Sequence, residues 1–208
     1  MCRAGEVIRA PAKLTYFLRV TLEGSGVDLA AHLTGPQGSG LVSGLAYAGG
    51  LAIVPEDRHH SGCVLDFTVA ENLFITDPER VSKYGLMDHA EMARRSTELI
   101  DQFAISCTGP DAPMWSLSGG NQQRVVMARE LSHDPRVLVA AQPTRGLDVG
   151  AIEYLSGQIR DAARTGVGVL LISTELEEVL DLSHRVIVIS NGRIVGEMVN
   201  DDVDLETL

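Results

Sequence analysis

The sequence predicts a layered α/β domain in which short buried strands alternate with amphipathic helices. Three largely apolar runs carry this prediction, at Leu51–Val54, 136–141 and 168–173. Such short apolar runs, separated by helical patterns, are typical of buried strands. Apolar residues make up 45% of the 208 residues, which suffices for a core in one domain of ordinary size.

Helices are predicted between these strands by capping signals and by apolar periodicity. Thr68 stands three residues before Glu71, the spacing of a capping box, and so opens a helix over 68–74. A longer helix follows the adjacent glycines at 119–120 and ends near 133–135. Further helices are predicted at 90–103, 149–163 and 175–182.

The two ends of the chain differ in how clearly they can be interpreted. Strands at 185–190 and 194–199 flank the dipeptide Asn191-Gly192, so they are expected to form a hairpin. Residues 1–50 show a possible strand at 16–20 and, at 27–34, either a strand or a short helix.

Composition excludes several classes of protein. The net charge of −11 argues against a nucleic-acid-binding protein, which would usually present a basic face. The three cysteines, Cys2, Cys63 and Cys107, are widely spaced and suggest reduced thiols, not a disulfide framework or a zinc site. No apolar run approaches the length of a membrane span, and no secretory signal is recognised at the N-terminus.

The most informative stretch is residues 117–123, which read LSGGNQQ and precede a helical pattern. Ser118, Gly119 and Gly120 place a hydroxyl and free backbone N–H groups at the positive end of a helix dipole. Together these groups form a binding site for phosphate.

Three further blocks stand in register with this stretch: LAIVPEDR from residue 51, DFTVAENL from residue 66 and VLVAAQPTRGLD from residue 137. In order and spacing they resemble an ABC transporter ATPase domain, namely the C-terminal half of the tandem ATP-binding subunits of sugar and nucleoside importers. The resemblance covers roughly 50–199 and implies an ABC-type P-loop ATPase domain over 51–208, with a helical subdomain near 68–118. Residues 1–50 would be a reduced N-terminal segment.

The resemblance also implies roles for individual residues. In the family, the signature motif of one domain acts on ATP that another domain holds. Ser118, Gly119, Gly120 and either Gln122 or Gln123 would thus close over the γ-phosphate. Glu56 stands nearest the family's Q-loop glutamine, and Asp148, in the string Gly146-Leu147-Asp148, would brace the interface between the two domains.

The same resemblance implies cofactors, partners and a location. ATP and Mg²⁺ are expected, shared with a partner domain. The expected partners are another ABC ATPase domain and transmembrane permease subunits, and no nucleic acid. The chain would lie at the cytoplasmic face of the cell membrane as a peripheral subunit.

Three catalytic positions of the family are altered here. The Asp-Glu pair that ends the family's Walker B strand is replaced by Ala141 and Gln142. Alanine cannot ligate a metal, and glutamine can orient a water but cannot accept its proton. Thr174 stands where the family has its switch histidine, and a threonine cannot carry that positive charge. These changes predict lost catalysis.

The phosphate cradle departs furthest from the family. Gly35, Gly38 and Gly40 have the spacing of a P-loop, but Leu41 and Val42 follow where lysine and serine or threonine are expected. Either these glycines are a surface loop with chance spacing, or much of the cradle segment is gone.

A second site was considered at His59, His60 and Cys63, whose proximity suggests a metal. The spacing is not a usual zinc pattern and no fourth ligand is evident, so a solvated loop is the preferred interpretation.

Three hypotheses for function remain open at this point. The chain supplies its signature to a partner's ATP site and is itself catalytically degenerate, or it is an ATP-hydrolysing enzyme with an altered cradle, or it is a truncated remnant without activity. ABC-type DNA-maintenance ATPases are disfavoured because the chain lacks long heptads and a basic surface.

Overall fold

The computed structural model describes residues 3–4, 20–23, 30–33, 50–190 and 193–200. Within them the strands are β1 (Arg3–Ala4), β2 (Val20–Glu23), β3 (Ala30–Leu33), β4 (Leu51–Val54), β5 (Ser82–Lys83), β6 (Leu86–Met87), β7 (Val137–Ala141), β8 (Gly168–Ile172), β9 (Arg185–Ser190) and β10 (Arg193–Val199). The α-helices are α1 (Val69–Phe74), α2 (His89–Gln102), α3 (Gly119–Leu131), α4 (Val149–Arg164) and α5 (Leu176–Leu182).

A parallel sheet of β4, β7 and β8, in that order, is the centre of the fold. Val54 pairs with Ala140, and Ala140 with Leu171, so the carboxyl ends of all three strands lie at the same edge. The three apolar runs of the sequence are these three strands, which confirms the predicted α/β class. Residues at these carboxyl ends are therefore brought together.

Helices α3 and α4 cover one face of this sheet. The core they form with it contains Val126 and Met127 of α3, Leu155 and Ile159 of α4, and Leu138 of β7. These side chains are nearly or completely buried, which holds the start of both helices near the sheet.

A second core lies among α1, α2 and the first half of α3. It includes Leu73, Phe74, Phe103, Met114 and Val125. The predicted capping box is present, because Thr68 Oγ1 accepts from Glu71 N and the Glu71 carboxylate accepts from Thr68 N. Helix α3 belongs to both cores, so it fixes the helical part of the molecule against the sheet.

Helix α3 ends at Leu131, slightly before the predicted end near 133–135. Asp134 adopts a left-handed φ of 47° and the next residue is Pro135, neither of which continues a helix. The remaining helices and the hairpin strands β9 and β10 lie within one or two residues of their predicted bounds, and β9 pairs antiparallel with β10. The turn predicted at 191–192 lies outside the described residues.

In the N-terminal segment, β3 pairs with β1 in parallel and with β2 antiparallel. The strand alternative for 27–34 is thus confirmed by β3. The other candidate, at 16–20, overlaps the described residues only at Val20, where β2 begins. The glycines Gly35, Gly38 and Gly40 lie outside the described residues.

Candidate functional site

The N-termini of α3 and α4 open onto one pocket of about 290 Å³. It is lined by Ser106, Ser118, Gly120, Asn121, Arg124, Asp148, Gly150 and Ala151. Two helix N-termini and an arginine make this pocket attractive to an anion, because each helix start carries free N–H groups and a partial positive charge. Ser118, Gly120 and Asp148, all predicted site residues, therefore line one pocket.

Ser118 caps α3, as its position before the two glycines predicts. Its Oγ accepts from Asn121 N at 3.4 Å and from Asn121 Nδ2 at 3.0 Å. Asn121 Oδ1 in turn accepts a hydrogen bond from Ser106 N at 2.8 Å. This bond joins two of the residues that line the pocket. The Ser118 side chain remains exposed, so its hydroxyl is open to a ligand.

Gly119 and Gly120 permit two close approaches. A Cβ on Gly120 would lie 2.8 Å from the Ala151 Cβ of α4, and a Cβ on Gly119 would lie 2.8 Å from Arg58 Nη2. The absence of side chains here brings α4 and Arg58 against the start of α3.

Asp148 caps α4 beside the signature. The Asp148 Oδ1 atom accepts a hydrogen bond from Ala151 N at 2.9 Å, and Asp148 is exposed at the pocket. The carboxylate is thus positioned at a surface next to Gly120, where a neighbouring domain could contact it.

Arg124 was not identified from the sequence. Its guanidinium lies over the Tyr154 ring, 3.9 Å from the ring centroid, and its Nη1 donates to Ala104 O. The Tyr154 hydroxyl donates to Phe103 O at 2.7 Å, and burial raises the pKa of this phenol although Arg124 opposes the rise. Arg124 lies one turn after Gly120 on α3, and this i, i+4 spacing was the available signal.

Gln122 and Gln123 are 6% and 2% exposed. The Gln122 amide faces inward and donates to Met114 O and Leu117 O, each at 3.2 Å. Its oxygen lies 2.9 Å from His59 Nε2. The two glutamines therefore do not present their side chains to the pocket as Ser118 does.

Gln142 and Thr174 meet at the carboxyl ends of β7 and β8. Gln142 Nε2 lies 3.2 Å from Thr174 Oγ1, and Gln142 N donates to Ile172 O at 2.7 Å. Gln142 has a left-handed φ of 47°, which is uncommon for a residue with a side chain and is typical of functional positions. The sheet thus brings two of the three altered catalytic positions into direct contact.

Glu56 follows β4 and forms an ion pair with Arg145, which lies in the segment after β7. Both side chains are more than half exposed, so the pair contributes little to stability. Arg58 Nη1 donates to Arg145 O at 3.4 Å. The loop after β4 therefore contacts the loop after β7.

The residues fit phosphate better than a metal ion. Among the described residues no group of three or more histidine, cysteine or acidic side chains is arranged to hold a metal. At the end of β7, Ala141 offers no ligand and Gln142 is already bonded to Thr174. Mg²⁺ prefers several oxygen ligands, carboxylates among them, so these positions do not form a magnesium site. The pocket at α3 and α4, by contrast, offers N–H and hydroxyl donors.

Curated relatives carry the blocks of this chain within much longer proteins. The nucleoside import ATP-binding protein NupA of Lactococcus lactis is 46% identical over 69% of this chain and 29% of its own length. The ribose import ATP-binding protein RbsA 2 of Rhizobium meliloti is 38% identical over 76% of the chain and 31% of its own length. The guanosine import ATP-binding protein NupO of Bacillus subtilis is 40% identical over 72% of the chain and 30% of its own length. The chain contains an ABC ATPase domain. It spans about 30% of the length of these relatives.

Solved ABC cassettes share the fold. A dimeric ATP-binding cassette in a post-hydrolysis state, bound to ADP and Pi, aligns with a TM-score of 0.63 and 16% identity over 89% of this chain and 99% of that one. A second dimeric structure of the same protein, described as a bacterial ABC transporter cassette, aligns with a TM-score of 0.63 and 21% identity over 78% of this chain and 67% of that one. At these identities the likeness establishes the ABC fold.

A different family matches the N-terminal part of this ABC protein. The model described as MoeA C-terminal region (domain IV) matches residues 2–69. The match includes the glycines at 35–40 and continues through β4 to the first residue of α1. No helix in the described ranges is both long and apolar enough to cross a membrane.

Proposed function

We propose that this chain is a catalytically degenerate ATP-binding component of an ABC importer for sugars or nucleosides. It supplies its signature motif to an ATP site that a partner ATPase domain completes. The relatives are named as import ATP-binding proteins for ribose, nucleosides and guanosine, which supports the solute class.

The observation that carries the proposal is the contrast between the two ends of the site. The signature end is intact, with Ser118 capping α3 and the pocket open between α3 and α4. At the catalytic end, Gln142 and Thr174 bond to one another and offer neither a carboxylate base nor a histidine. An intact signature beside a neutral catalytic end suits a domain that completes a partner's site.

In this proposal Ser118 and the backbone N–H groups of Gly119 and Gly120 hold the terminal phosphate. Asp148, exposed at the same pocket, braces the partner domain. ATP would supply the free energy of transport. This chain binds and orients the terminal phosphate and excludes water from it. Transmembrane permease subunits and a place at the cytoplasmic face of the membrane belong to the same proposal, as does the boundary between residues 1–50 and the cassette.

The test combines nucleotide binding with association. The purified chain with Mg²⁺ and a fluorescent ATP analogue should show no saturable binding. The N-terminal half of the Lactococcus lactis relative, expressed separately, should associate with the chain when ATP is present. Sedimentation of the mixture with and without ATP measures this association.

A matched pair of variants makes the test specific. Ser118→Glu places a negative group at a helix start, where the dipole favours it, but this group repels phosphate, so ATP-dependent association should weaken about tenfold or more. Ser116→Glu places the same charge two residues earlier, on another exposed serine, and should leave association unchanged. Hydrolysis by the chain alone at about 1 per second or faster, lost in Gln142→Ala, would overturn the proposal in favour of an enzyme with an altered cradle.

A further inference from the structure

We propose that His59 is a positioning residue for the signature motif. It holds the start of α3 through Gln122, and Arg58 beside it makes a second contact with the same turn. The significance for ATP rests on the proposed function, whereas the positioning itself concerns only this chain. The segment Glu56–His60 is called the bridging loop below.

The orientation of the Gln122 amide is fixed by its surroundings. Its Nε2 donates to both Met114 O and Leu117 O at 3.2 Å. The reverse orientation would place the amide oxygen against two carbonyl oxygens, which offer no hydrogen. The Gln122 Oε1 therefore faces His59 Nε2, at 2.9 Å, as an acceptor.

An acceptor at this distance assigns the proton on His59. The Nε2 atom must carry the hydrogen, and either the neutral Nε2–H tautomer or the imidazolium can donate it. Gln122 is 6% exposed, so an amide oxygen left without this donor would be buried and unpaired. His59 thus completes the hydrogen bonds of a buried amide on the signature helix.

The backbone of the bridging loop holds the imidazole in place. Asp57 Oδ1 accepts from His59 N at 3.0 Å and from His60 N at 3.1 Å. Cys63 N donates to Arg58 O at 2.7 Å and closes a single wide helical turn over Arg58–Gly62. An ordered turn therefore positions the imidazole ring against Gln122, although His59 is itself exposed.

Arg58 contacts the same turn of α3. Its Nη2 occupies the space beside Gly119, and its Nη1 donates to Arg145 O at 3.4 Å. Glu56 pairs with the Arg145 side chain. The bridging loop consequently joins the start of α3 to the segment that follows Gln142.

The consequence for the site is geometric. Met114 O and Leu117 O, held by Gln122, belong to the residues that lead directly into Ser118. Fixing them fixes the direction in which Ser118 and the first N–H groups of α3 point. His59 acts on the phosphate-binding groups through Gln122 and touches no ligand itself.

The first measurement is nitrogen-15 NMR of the imidazole in the full chain. A proton bonded to Nε2 of His59 is expected, with Nδ1 unprotonated in the neutral form. The Nδ1–H tautomer would overturn the proposal. This measurement needs no variant, so it stands even if a substitution at position 59 impairs folding.

The second measurement compares three variants by hydrogen exchange at the hydrogen-bonded backbone amides of residues 121–123. His59→Ala removes the donor and should speed exchange about tenfold, the effect of one buried hydrogen bond. His59→Gln restores an N–H donor and should return exchange close to the wild-type rate. His60→Ala is the matched control, because the described contact of His60 uses its backbone N–H alone.

The outcomes separate this proposal from the proposed function. Equal exchange in His59→Ala and His60→Ala, or failure of His59→Gln to rescue, would overturn the positioning role. Neither measurement involves ATP or a partner, so loss of ATP-dependent association in the wild-type chain would overturn the proposed function alone. If the positioning role and the proposed function are both correct, His59→Ala should weaken the ATP-dependent association and His59→Gln should restore it.

Discussion

The two glycines of the signature have different neighbours, and they should respond differently to alanine. A methyl on Gly120 would lie 2.8 Å from the Ala151 Cβ, where two helix backbones would have to move apart. A methyl on Gly119 would crowd the far end of the flexible Arg58 side chain and would lie at an ordinary contact distance of 3.7 Å from Leu147 Cδ2. We expect Gly120→Ala to lower the free energy of unfolding by about 1–3 kcal/mol, as overpacking usually does.

Gly119→Ala is the control for this prediction. The Arg58 side chain can swing aside, and alanine gains up to about 1 kcal/mol of helix propensity over glycine, so little net loss is expected. Urea unfolding of both variants measures the difference. Equal destabilisation would show that the contact with α4 does not decide the identity of residue 120.

His133, just beyond the end of α3, should make stability depend on pH. Burial lowers its pKa from the ordinary value of 6.5, and the nearby Arg80 lowers it further, while Glu130 and Asp77 oppose the shift. The unfolded chain therefore binds a proton that the folded chain does not as the pH falls through about 6.5. Stability from this group is complete above that pH and is lost on acidification.

Urea unfolding at pH 8 and pH 5.5 measures the effect, with His133→Asn as the variant that cannot titrate. We expect the wild type to lose more stability over this interval than His133→Asn. Glu91 does not confuse the result, because its hydrogen bonds to Arg94 and Arg95 lower its pKa to about 2 from 4.5. Its contribution is lost only as the pH falls below about 4.5.

At the scale of elements, Glu130 links helix α3 to the outer edge of strand β4. Its Oε2 accepts from Ile53 N at 3.1 Å, and its Oε1 accepts from Arg129 Nε at 2.9 Å. Arg129 and Glu130 have side chains only 5% and 15% exposed. One carboxylate thus satisfies a strand N–H and a buried guanidinium together.

Glu130→Ala should therefore lower the free energy of unfolding by about 3 kcal/mol or more, since it leaves a buried charge without its partner. Glu130→Gln keeps the shape and one of the two acceptor oxygens, so it should cost less than Glu130→Ala. Glu98→Ala, which removes a carboxylate from an exposed pair with Arg94, is the control and should cost about 1 kcal/mol or less. Equal losses at 98 and 130 would contradict the assignment.

Local signals predicted the elements well because they act over a few residues. The Thr68–Glu71 capping box and the Ser118 cap are contacts three residues apart, and both are present. The His59–Gln122 contact spans 63 positions and depends on how the bridging loop packs against α3. Sequence reasoning consequently favoured a solvated loop there and did not identify the buried side of the contact.

The same limit applies to the pocket. Ser118, Gly120 and Asp148 were predicted from motifs, and they line it together. Which side of α3 faces the two cores could not be predicted, because Gln122 and Gln123 are polar and yet buried. Their burial follows from the tertiary packing of α3 between α1 and β4, which outweighs the ordinary preference of glutamine for the surface.

At the scale of the whole molecule, the residues that the structure describes cover the central sheet on one face only. The side chains of Ala140 and Leu171 point towards α3 and α4, while Leu170 and Ile172 on the other face are 54% and 49% exposed. Parallel sheets are ordinarily covered on both faces. Within the described ranges β8 also pairs on one side only, with β7, so an apolar strand lies at an open edge.

An open apolar edge without charges or proline is a site of association between chains. We expect the chain to aggregate on heating or at high concentration through β8. The double substitution Leu170→Thr with Ile172→Thr should reduce light scattering while leaving the urea midpoint nearly unchanged. Threonine has the β-branched shape that strands favour, and both positions are half exposed, so little core packing is lost.

Val149→Thr is the matched control, because Val149 is 72% exposed but lies at the start of α4, away from the strand edge. If exposed apolar area alone drove aggregation, the control would reduce scattering at least as much per residue replaced. If the β8 edge drives it, the control leaves scattering unchanged. A double variant that aggregates as fast as the wild type would exclude β8 as the associating surface.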